Sequence, residues 1–191
     1  GMYMYDVVAL GELLIDFTTI RADSDGYPTM AAHPGGAPAN FLAAIAKFGG
    51  KAAMLGKVGT DTFGKLLTDT LRKAGIETKG IVASDEVFTT LAFVTLDENG
   101  DREFAFARKP GADTQLTFDE LDLSLIDETR VFHFGTLSLT GEPARTTTYR
   151  AVEYAKAHGK LVTYDPNLRK PLWRSLDEAK EQMLWGLRQA D

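Results

Sequence analysis

The 191-residue sequence predicts an α/β fold with a largely parallel central sheet. Short apolar runs that end at a glycine or a polar turn alternate with longer segments of helical periodicity, and this alternation is typical of parallel sheets covered by helices. The composition agrees, because 44% hydrophobic and 25% charged residues are close to the averages of globular domains. No internal repeat or linker divides the chain, so a single domain is expected.

The first half of the chain contains four predicted strands and two predicted helices around a polar loop. Gly35 to Asn40 opens the first helix, since paired glycines followed by Pro38 mark a helix start. Asp61 is the expected N-cap of the second helix, with Leu66, Leu67 and Leu71 facing inward. In chain order the elements are strand 6–10, strand 13–20, loop 21–30, helix 37–48, strand 52–58, helix 62–74 and a short strand at 81–82.

The second half opens with a predicted β-hairpin. Residues 89–96 and 102–107 are rich in β-forming residues, and the Asn99-Gly100 pair between them is a strong hairpin signal. This hairpin interrupts the alternation of strands and helices, which indicates an insertion, a lid or an edge ribbon. The remaining predicted elements are strand 131–134, helix 143–158, strand 161–164 and helix 177–189.

Composition and charge exclude several classes of function. The absence of cysteine excludes a disulfide scaffold, a Cys-ligated zinc, an iron–sulfur cluster and a thiol nucleophile, and it fits a cytoplasmic location. A net charge of −6 argues against a nucleic-acid partner. No apolar run approaches membrane-spanning length, so no membrane partner is expected. His33, His133 and His158 lack metal-ligand spacing, and no metal site is predicted.

Several glycine-rich or polar segments follow predicted strands, where ligands bind in open α/β sheets. Gly35 and Gly36 precede a helix N-terminus whose free amides can hold an anion or a sugar hydroxyl. Asn40 can both donate to and accept from a polyol, and the alternative is a tight turn capped by Asn40. The candidate segments are 11–16, 35–36, 59–61, 135–138 and 165–169.

Three further positions are candidate ligand-binding residues. Asp16 can accept two hydroxyl protons from a sugar, and the alternative is a solvated loop acid. Arg108, at the end of the hairpin, can bind an anion or hydroxyls, and the alternative is an exposed edge charge. Within residues 165–169, Asn167 can reach a ligand and Arg169 can neutralise a transferring phosphoryl group. The alternative for that segment is an ordinary Asx turn.

Residues Gly59 to Leu66 nearly match the P-loop pattern of nucleotide-binding proteins. The last position is Leu66, so the hydroxyl that would bind Mg²⁺ is absent. Asp61 would also place a negative charge inside the phosphate cradle. The match is therefore interpreted as a coincidence of spacing.

Together these motifs resemble those of the PfkB (ribokinase-like) carbohydrate kinases, and within that family the fructokinases. One departure is Leu42, where the family pattern has a small residue. The resemblance rests on motifs that occur in family order: Gly11 and Glu12 with Asp16, Gly35 to Asn40 with Gly49, Val58 to Asp61 with Phe63 and Gly64, Arg108 to Asp113, Phe134 and Gly135 with Ser138 and Leu139, and Asp165 to Arg169 followed by Leu172 and Trp173.

The resemblance implies a ribokinase-like three-layer α/β/α fold with a small β lid, formed by segments of about 12–32 and 87–110. It also implies ATP-dependent phosphorylation of a sugar hydroxyl with Mg²⁺, and a homodimer formed through the lid. Asn167 and Arg169 would lie at the transferred phosphate, and Asn167 would also contact ATP. The residues implied in sugar binding are Asp16, Gly35, Gly36, Asn40 and Arg108.

The catalytic base of the family is missing from this sequence. Its Gly-Ala-Gly-Asp motif does not occur, and residues 1–191 correspond to an N-terminal part of the kinase domain, without the C-terminal part. We therefore expect the chain alone to bind sugar without transferring phosphate. Two alternatives stay open: a 2-keto-3-deoxygluconate kinase or other PfkB sugar kinase, and a short non-catalytic sugar-binding or regulatory protein.

Overall fold

The computed structural model describes residues 3–191, so the first two residues of the predicted domain lie outside the described residues. The strands are β1 (Tyr5–Leu10), β2 (Leu14–Ala22), β3 (Pro28–Gly35), β4 (Ala52–Gly59), β5 (Ile81–Ser84), β6 (Thr90–Leu96), β7 (Arg102–Ala107), β8 (Thr129–Gly135) and β9 (Leu161–Asp165). The α-helices are α1 (Ala37–Lys47), α2 (Thr62–Lys73), α3 (Leu123–Asp127), α4 (Ala144–Ala157) and α5 (Leu176–Gln189). Within residues 3–191, no helix is long and apolar enough to cross a membrane.

The central sheet is parallel throughout and has the strand order β5-β4-β1-β8-β9. Alternate residues of β1 point to opposite faces of this sheet. Val7 and Ala9 pack with α1 and α2, whereas Val8 and Leu10 pack with α3, α4 and α5. Helices therefore cover both faces, and the predicted α/β fold with three layers is confirmed.

A second, four-stranded sheet has the order β3-β2-β6-β7. The β6–β7 hairpin predicted from Asn99 and Gly100 is present, with Leu96 paired to Arg102 at its tip. Strands β2 and β6 pair in parallel, which joins this hairpin to the β2–β3 hairpin. The segments expected to form a lid, about 12–32 and 87–110, contain most of this second sheet.

The predicted loop over residues 21–30 is partly wrong. Strand β2 continues to Ala22 and β3 begins at Pro28, so that only a tight turn remains between them. The Asp23 carboxylate holds this turn by accepting hydrogen bonds from the N–H groups of Asp25 and Tyr27, both at 2.9 Å. Strand β3 was not predicted because it contains two prolines and several small residues. Prolines within a sheet are tolerated mainly on edge strands, and β3 lies at the edge of this sheet.

Helix α2 follows the prediction except at one leucine. Asp61 is the N-cap, as expected, and Leu67 and Leu71 are buried. Leu66 was predicted to face inward but is 39% exposed. Leu67 and Leu71 are four residues apart and share one helix face, whereas Leu66 lies about 100° away from Leu67 around the axis.

Candidate active site

A cavity of about 350 Å³ lies between the second sheet and the edge of the central sheet where its parallel strands end. Strands β2, β3, β6 and β7 form one wall, and the start of α1 and the loop after β9 form the other. The cavity is lined by five of the residues predicted from the sequence, namely Asp16, Gly36, Asn40, Asn167 and Arg169. A cavity of this size is at the lower end of the range for small-molecule sites.

The two glycines that precede α1 are both required by close contacts. A Cβ on Gly35 would lie 2.4 Å from Oδ2 of Asp16. Gly36 has a φ of +113°, and a Cβ there would lie 2.4 Å from the backbone oxygen of Glu12. Gly35 thus leaves room for the Asp16 carboxylate, while Gly36 allows a backbone conformation that side chains rarely adopt.

Replacing Gly36 by alanine is expected to destabilise the chain by about 2 kcal/mol, because the new Cβ meets a backbone oxygen at an unfavourable φ. Urea unfolding of the variant measures this loss. The matched control is Gly26→Ala, because Gly26 also has a positive φ, of +85°, but its Cβ would meet nothing within 4 Å. Equal losses in the two variants would contradict the role assigned to the Glu12 contact.

Asp16 presents a half-buried carboxyl group to the cavity from β2. Burial raises the pKa of this carboxyl, and the positive charges of Arg169 and His33 act in the opposite direction. His33 lies directly across the β2–β3 pair from Asp16. A partly desolvated carboxylate near a guanidinium is well suited to accept hydrogen bonds from sugar hydroxyls.

The loop after β9 brings Asn167 and Arg169 to the opposite side of the cavity. Arg169 has a left-handed backbone with a φ of 47°, and its guanidinium lies 5.0 Å from the ring centre of Phe104 on β7. This contact joins the loop to the second sheet by a cation–π interaction. The positive charge therefore lies at the cavity, within the electrostatic reach of Asp16.

Thr136, which the sequence analysis included only within the candidate segment 135–138, holds the loop after β9. Its buried hydroxyl accepts a hydrogen bond from the Asn167 N–H at 2.8 Å and donates to the Asp165 carbonyl at 3.0 Å. It also shares a 2.7 Å hydrogen bond with the Tyr164 hydroxyl. The loop is thus held by a threonine that directly follows β8, and not by the Asx turn that was the alternative in the sequence analysis.

Arg108, like Gly35 and unlike the five predicted residues named above, does not line this cavity. It is 8% exposed, so the alternative of an exposed edge charge is wrong. Its Nη2 lies 2.8 Å from Oδ2 of Asp113, and its Nη1 donates to Thr140 Oγ1 at 2.7 Å. It borders a second cavity of about 400 Å³ beside Arg174. The geometry shows Arg108 as part of a buried ion pair.

Glu12 and Phe104 also line the first cavity. The sequence analysis included Glu12 only within the candidate segment 11–16 and the family motif, without a role, and did not include Phe104. Glu12 was visible as the residue after Gly11, at the carboxyl end of a buried strand. Phe104 was visible as an alternate apolar position of the hairpin arm. Neither signal distinguishes a site residue from a structural one, because both depend on how the second sheet packs over the central sheet.

The segment that nearly matches a P-loop carries no free helix N-terminus. The Asp61 carboxylate accepts hydrogen bonds from the N–H groups of Phe63 and Gly64, at 3.1 and 3.0 Å, and from Thr89. Although burial alone raises the pKa of Asp61, these hydrogen bonds hold it below its ordinary value. An internal carboxylate thus occupies the position that a phosphate would take.

The cavity offers donors for a phosphate but no built metal site. The Arg169 guanidinium and the Asn167 amide can donate hydrogen bonds to phosphate oxygens. Within residues 3–191, no group of three or more His, Cys, Asp or Glu side chains is arranged to hold a metal ion.

A three-layer α/β/α domain whose second sheet covers a cavity lined by carboxylate, amide and guanidinium side chains is typical of the ribokinase-like class of fold. The chain belongs to the pfkB family of carbohydrate kinases, whose family model matches residues 4–191. It is 48% identical over 187 residues to Fructokinase-1 of Zea mays. It also superimposes on the crystal structure of fructokinase from Xylella fastidiosa with a TM-score of 0.92 and 33% identity.

These matches cover nearly all of this chain but only part of each relative. The maize fructokinase match covers 97% of this chain and 58% of the maize protein. The Xylella match covers 97% of this chain and 57% of that structure, and a second Xylella fructokinase structure, with bound ATP, matches with a TM-score of 0.90. The chain thus spans somewhat more than half the length of these relatives, which agrees with the prediction that it corresponds to part of a longer kinase.

Proposed function

We propose that this chain is the sugar-binding part of an ATP-dependent sugar kinase of the fructokinase type. The observation that carries this proposal is the single cavity that joins Asp16 and Asn40 on one side to Asn167 and Arg169 on the other. Phosphoryl transfer needs an acceptor hydroxyl held in place beside a positive charge that neutralises the phosphate. This cavity contains groups suited to both tasks.

Each side of the cavity has its own proposed role. Asp16, the Gly35–Gly36 backbone and Asn40 hold the sugar hydroxyls, and Arg169 neutralises the phosphate with support from Asn167, which also contacts the nucleotide. ATP is the proposed donor because a fructokinase that is similar in structure was solved with bound ATP. No residue here is assigned to remove the hydroxyl proton, because the Gly-Ala-Gly-Asp motif does not occur in this sequence.

The second sheet is the proposed lid over the sugar and the proposed homodimer contact, within segments of about 12–32 and 87–110. Four large apolar side chains in these segments are exposed, namely Ile20, Tyr27, Phe88 and Leu96. Exposed large apolar side chains on one sheet favour association with a second copy. Light scattering tests the dimer, and a monodisperse monomer at high concentration contradicts it. A cytoplasmic location and the use of Mg²⁺ with ATP belong to the same proposal.

The proposal is tested by titrating the chain with fructose in a calorimeter. We expect saturable binding that Asp16→Ala weakens at least about tenfold, because a charged hydrogen-bond acceptor is lost. The control, Asp85→Ala, removes an exposed carboxylate outside the cavity and should bind like the parent chain. The parent chain is expected to show no ATP turnover in a coupled assay.

Two outcomes contradict the proposal. One is the absence of fructose binding by a chain that is folded according to its circular dichroism. The other is preferential binding of a 2-keto-3-deoxy sugar acid, which would favour that related kinase activity. Robust ATP-dependent phosphorylation by the chain alone would contradict the assignment of a sugar-binding part that lacks the base.

A further inference from the structure

Glu12 carries a buried carboxyl group at the floor of the cavity. The residue is 2% exposed and follows the first strand of the central sheet. Its Oε1 accepts a hydrogen bond from the Ala37 N–H at 3.1 Å, and its Oε2 is buried without a hydrogen-bond partner among the described residues. Burying a carboxyl oxygen without a hydrogen-bond partner costs free energy, so the burial of Glu12 lowers the stability of the fold.

The contact between Glu12 and Ala37 replaces the usual cap of α1. The N-cap residue is Gly36, which has no side chain, and no side-chain cap hydrogen bond is made from that position. Pro38 follows without an N–H group, so Ala37 supplies the first amide of the helix. Glu12, 25 residues earlier in the chain, accepts from that amide. A carboxylate at a helix N-terminus is also favoured by the helix dipole.

Glu12 contacts the same peptide through its backbone. Its carbonyl oxygen and its Cγ would lie 2.4 and 3.5 Å from a Cβ on Gly36. Side chain and backbone therefore enclose the Gly36–Ala37 peptide from two directions. That peptide leads directly into the turn of α1 that carries Asn40, and it adjoins Gly35, which contacts Asp16.

We propose that Glu12 is a positioning residue of the sugar site, whose carboxyl group caps α1 and holds the Gly36–Ala37 peptide in the conformation that Asn40 and Asp16 need. This proposal rests on the proposed sugar-binding function. It differs from a direct sugar contact, because the accessible surface of Oε2 is nearly zero and Oε1 is engaged with Ala37. Glu12 acts through the helix start.

Two substitutions separate capping from mere filling of space. Glu12→Gln retains an oxygen that can accept from the Ala37 N–H, whereas Glu12→Leu keeps similar volume without an acceptor. We expect Glu12→Gln to bind fructose within about threefold of the parent chain and Glu12→Leu to bind at least about tenfold more weakly. Glu98→Leu, at an exposed position outside the cavity, is the control for the substitution itself.

A second readout does not depend on sugar. In ¹⁵N NMR spectra the Ala37 amide should be protected from hydrogen exchange in the parent chain and in Glu12→Gln. In Glu12→Leu this amide should change its chemical shift and lose its protection, while the amides of β1 and β4 stay protected. Full fructose affinity in Glu12→Leu, or equal losses in both variants, would overturn the proposal. If the Ala37 amide behaves as expected but the parent chain binds no fructose, the proposed function fails and the cap stands.

Discussion

Replacing Asp113 by alanine is expected to destabilise the chain by about 3–5 kcal/mol, the largest single effect predicted from this structure. The side chains of Arg108 and Asp113 are 4% and 2% exposed, and Arg108 Nη2 lies 2.8 Å from Asp113 Oδ2. Removing Asp113 leaves a buried guanidinium without its counter-charge. The remaining acceptors, Thr140 Oγ1 and the Leu137 carbonyl, cannot neutralise that charge.

The loss should be large because this ion pair connects four parts of the chain. Arg108 follows β7, and Asp113 also accepts a hydrogen bond from the Thr90 hydroxyl on β6. The Leu137 carbonyl and Thr140 belong to the segment after β8. The pair therefore attaches the base of the second sheet to the central sheet, and its loss should weaken that attachment.

Urea unfolding of Asp113→Ala measures the effect, and Asp69→Ala is the matched control. Asp69 pairs with Arg72 at 2.9 Å, but these side chains are 56% and 61% exposed, and a surface pair contributes at most about 1 kcal/mol. The double variant with Arg108→Met and Asp113→Leu removes both charges and should recover much of the loss. A loss for Asp113→Ala as small as that of the control would show that the buried pair does not stabilise the fold.

The second large effect is a pH dependence of stability that comes from Glu12. Burial raises the pKa of its carboxyl to about 7, from an ordinary value of 4.5. The Asp113 carboxylate adds to this increase, and the hydrogen bond from Ala37 and the charge of Arg108 oppose it. Between these two pKa values the folded chain retains a proton on Glu12 that the unfolded chain has lost.

The sign of the effect follows from this difference in bound protons. The contribution of Glu12 to stability is complete below the unfolded pKa and is lost as the pH rises through the folded pKa. The free energy of unfolding should therefore fall by about 3 kcal/mol from this group between about pH 4.5 and about pH 8. Other groups also titrate in this range, so the comparison must isolate Glu12.

The variant Glu12→Gln isolates the contribution of Glu12 to the pH dependence, because glutamine does not titrate. The difference in unfolding free energy between the variant and the parent chain should shift by about 3 kcal/mol in favour of the variant as the pH rises across this range. Any constant cost of burying the amide cancels in that shift. Glu98→Gln serves as the exposed control. A difference that stays constant with pH would contradict a raised pKa for Glu12.

Several elements were predictable because their signals are local. The Asn99-Gly100 turn produced the β6–β7 hairpin, and the Asp61 side chain capped α2 from one residue before its first turn. Strand β3 was missed because a strand at a sheet edge can carry Pro28 and Pro34, which local propensity counts against any strand. The prolines are tolerated because β3 lies at the edge of the sheet, and the order of strands in a sheet cannot be predicted from a local sequence pattern.

The residues of the candidate site also divide into those with a local sequence signal and those that depend on tertiary contacts. Asp16, Asn40, Asn167 and Arg169 were predicted because each follows a recognisable strand or glycine signal, and the parallel sheet gathers such positions at one edge. Arg108 was predicted as a ligand-binding residue, but the sequence did not predict its buried environment. Whether an arginine after a hairpin faces a ligand, water or a buried carboxylate depends on Asp113 and on the segment after β8.

The sequence by itself determined the class of fold, the order of most elements and four of the polar residues around one cavity. Those features follow from short-range propensity, the periodicity of apolar residues and motif spacing. The tertiary structure alone decided that Glu12 caps α1 from 25 residues away and that Thr136 holds Asn167 across 31 residues. Such contacts form only after strands distant in sequence become neighbours, and burial then sets both their strength and the pKa of Glu12.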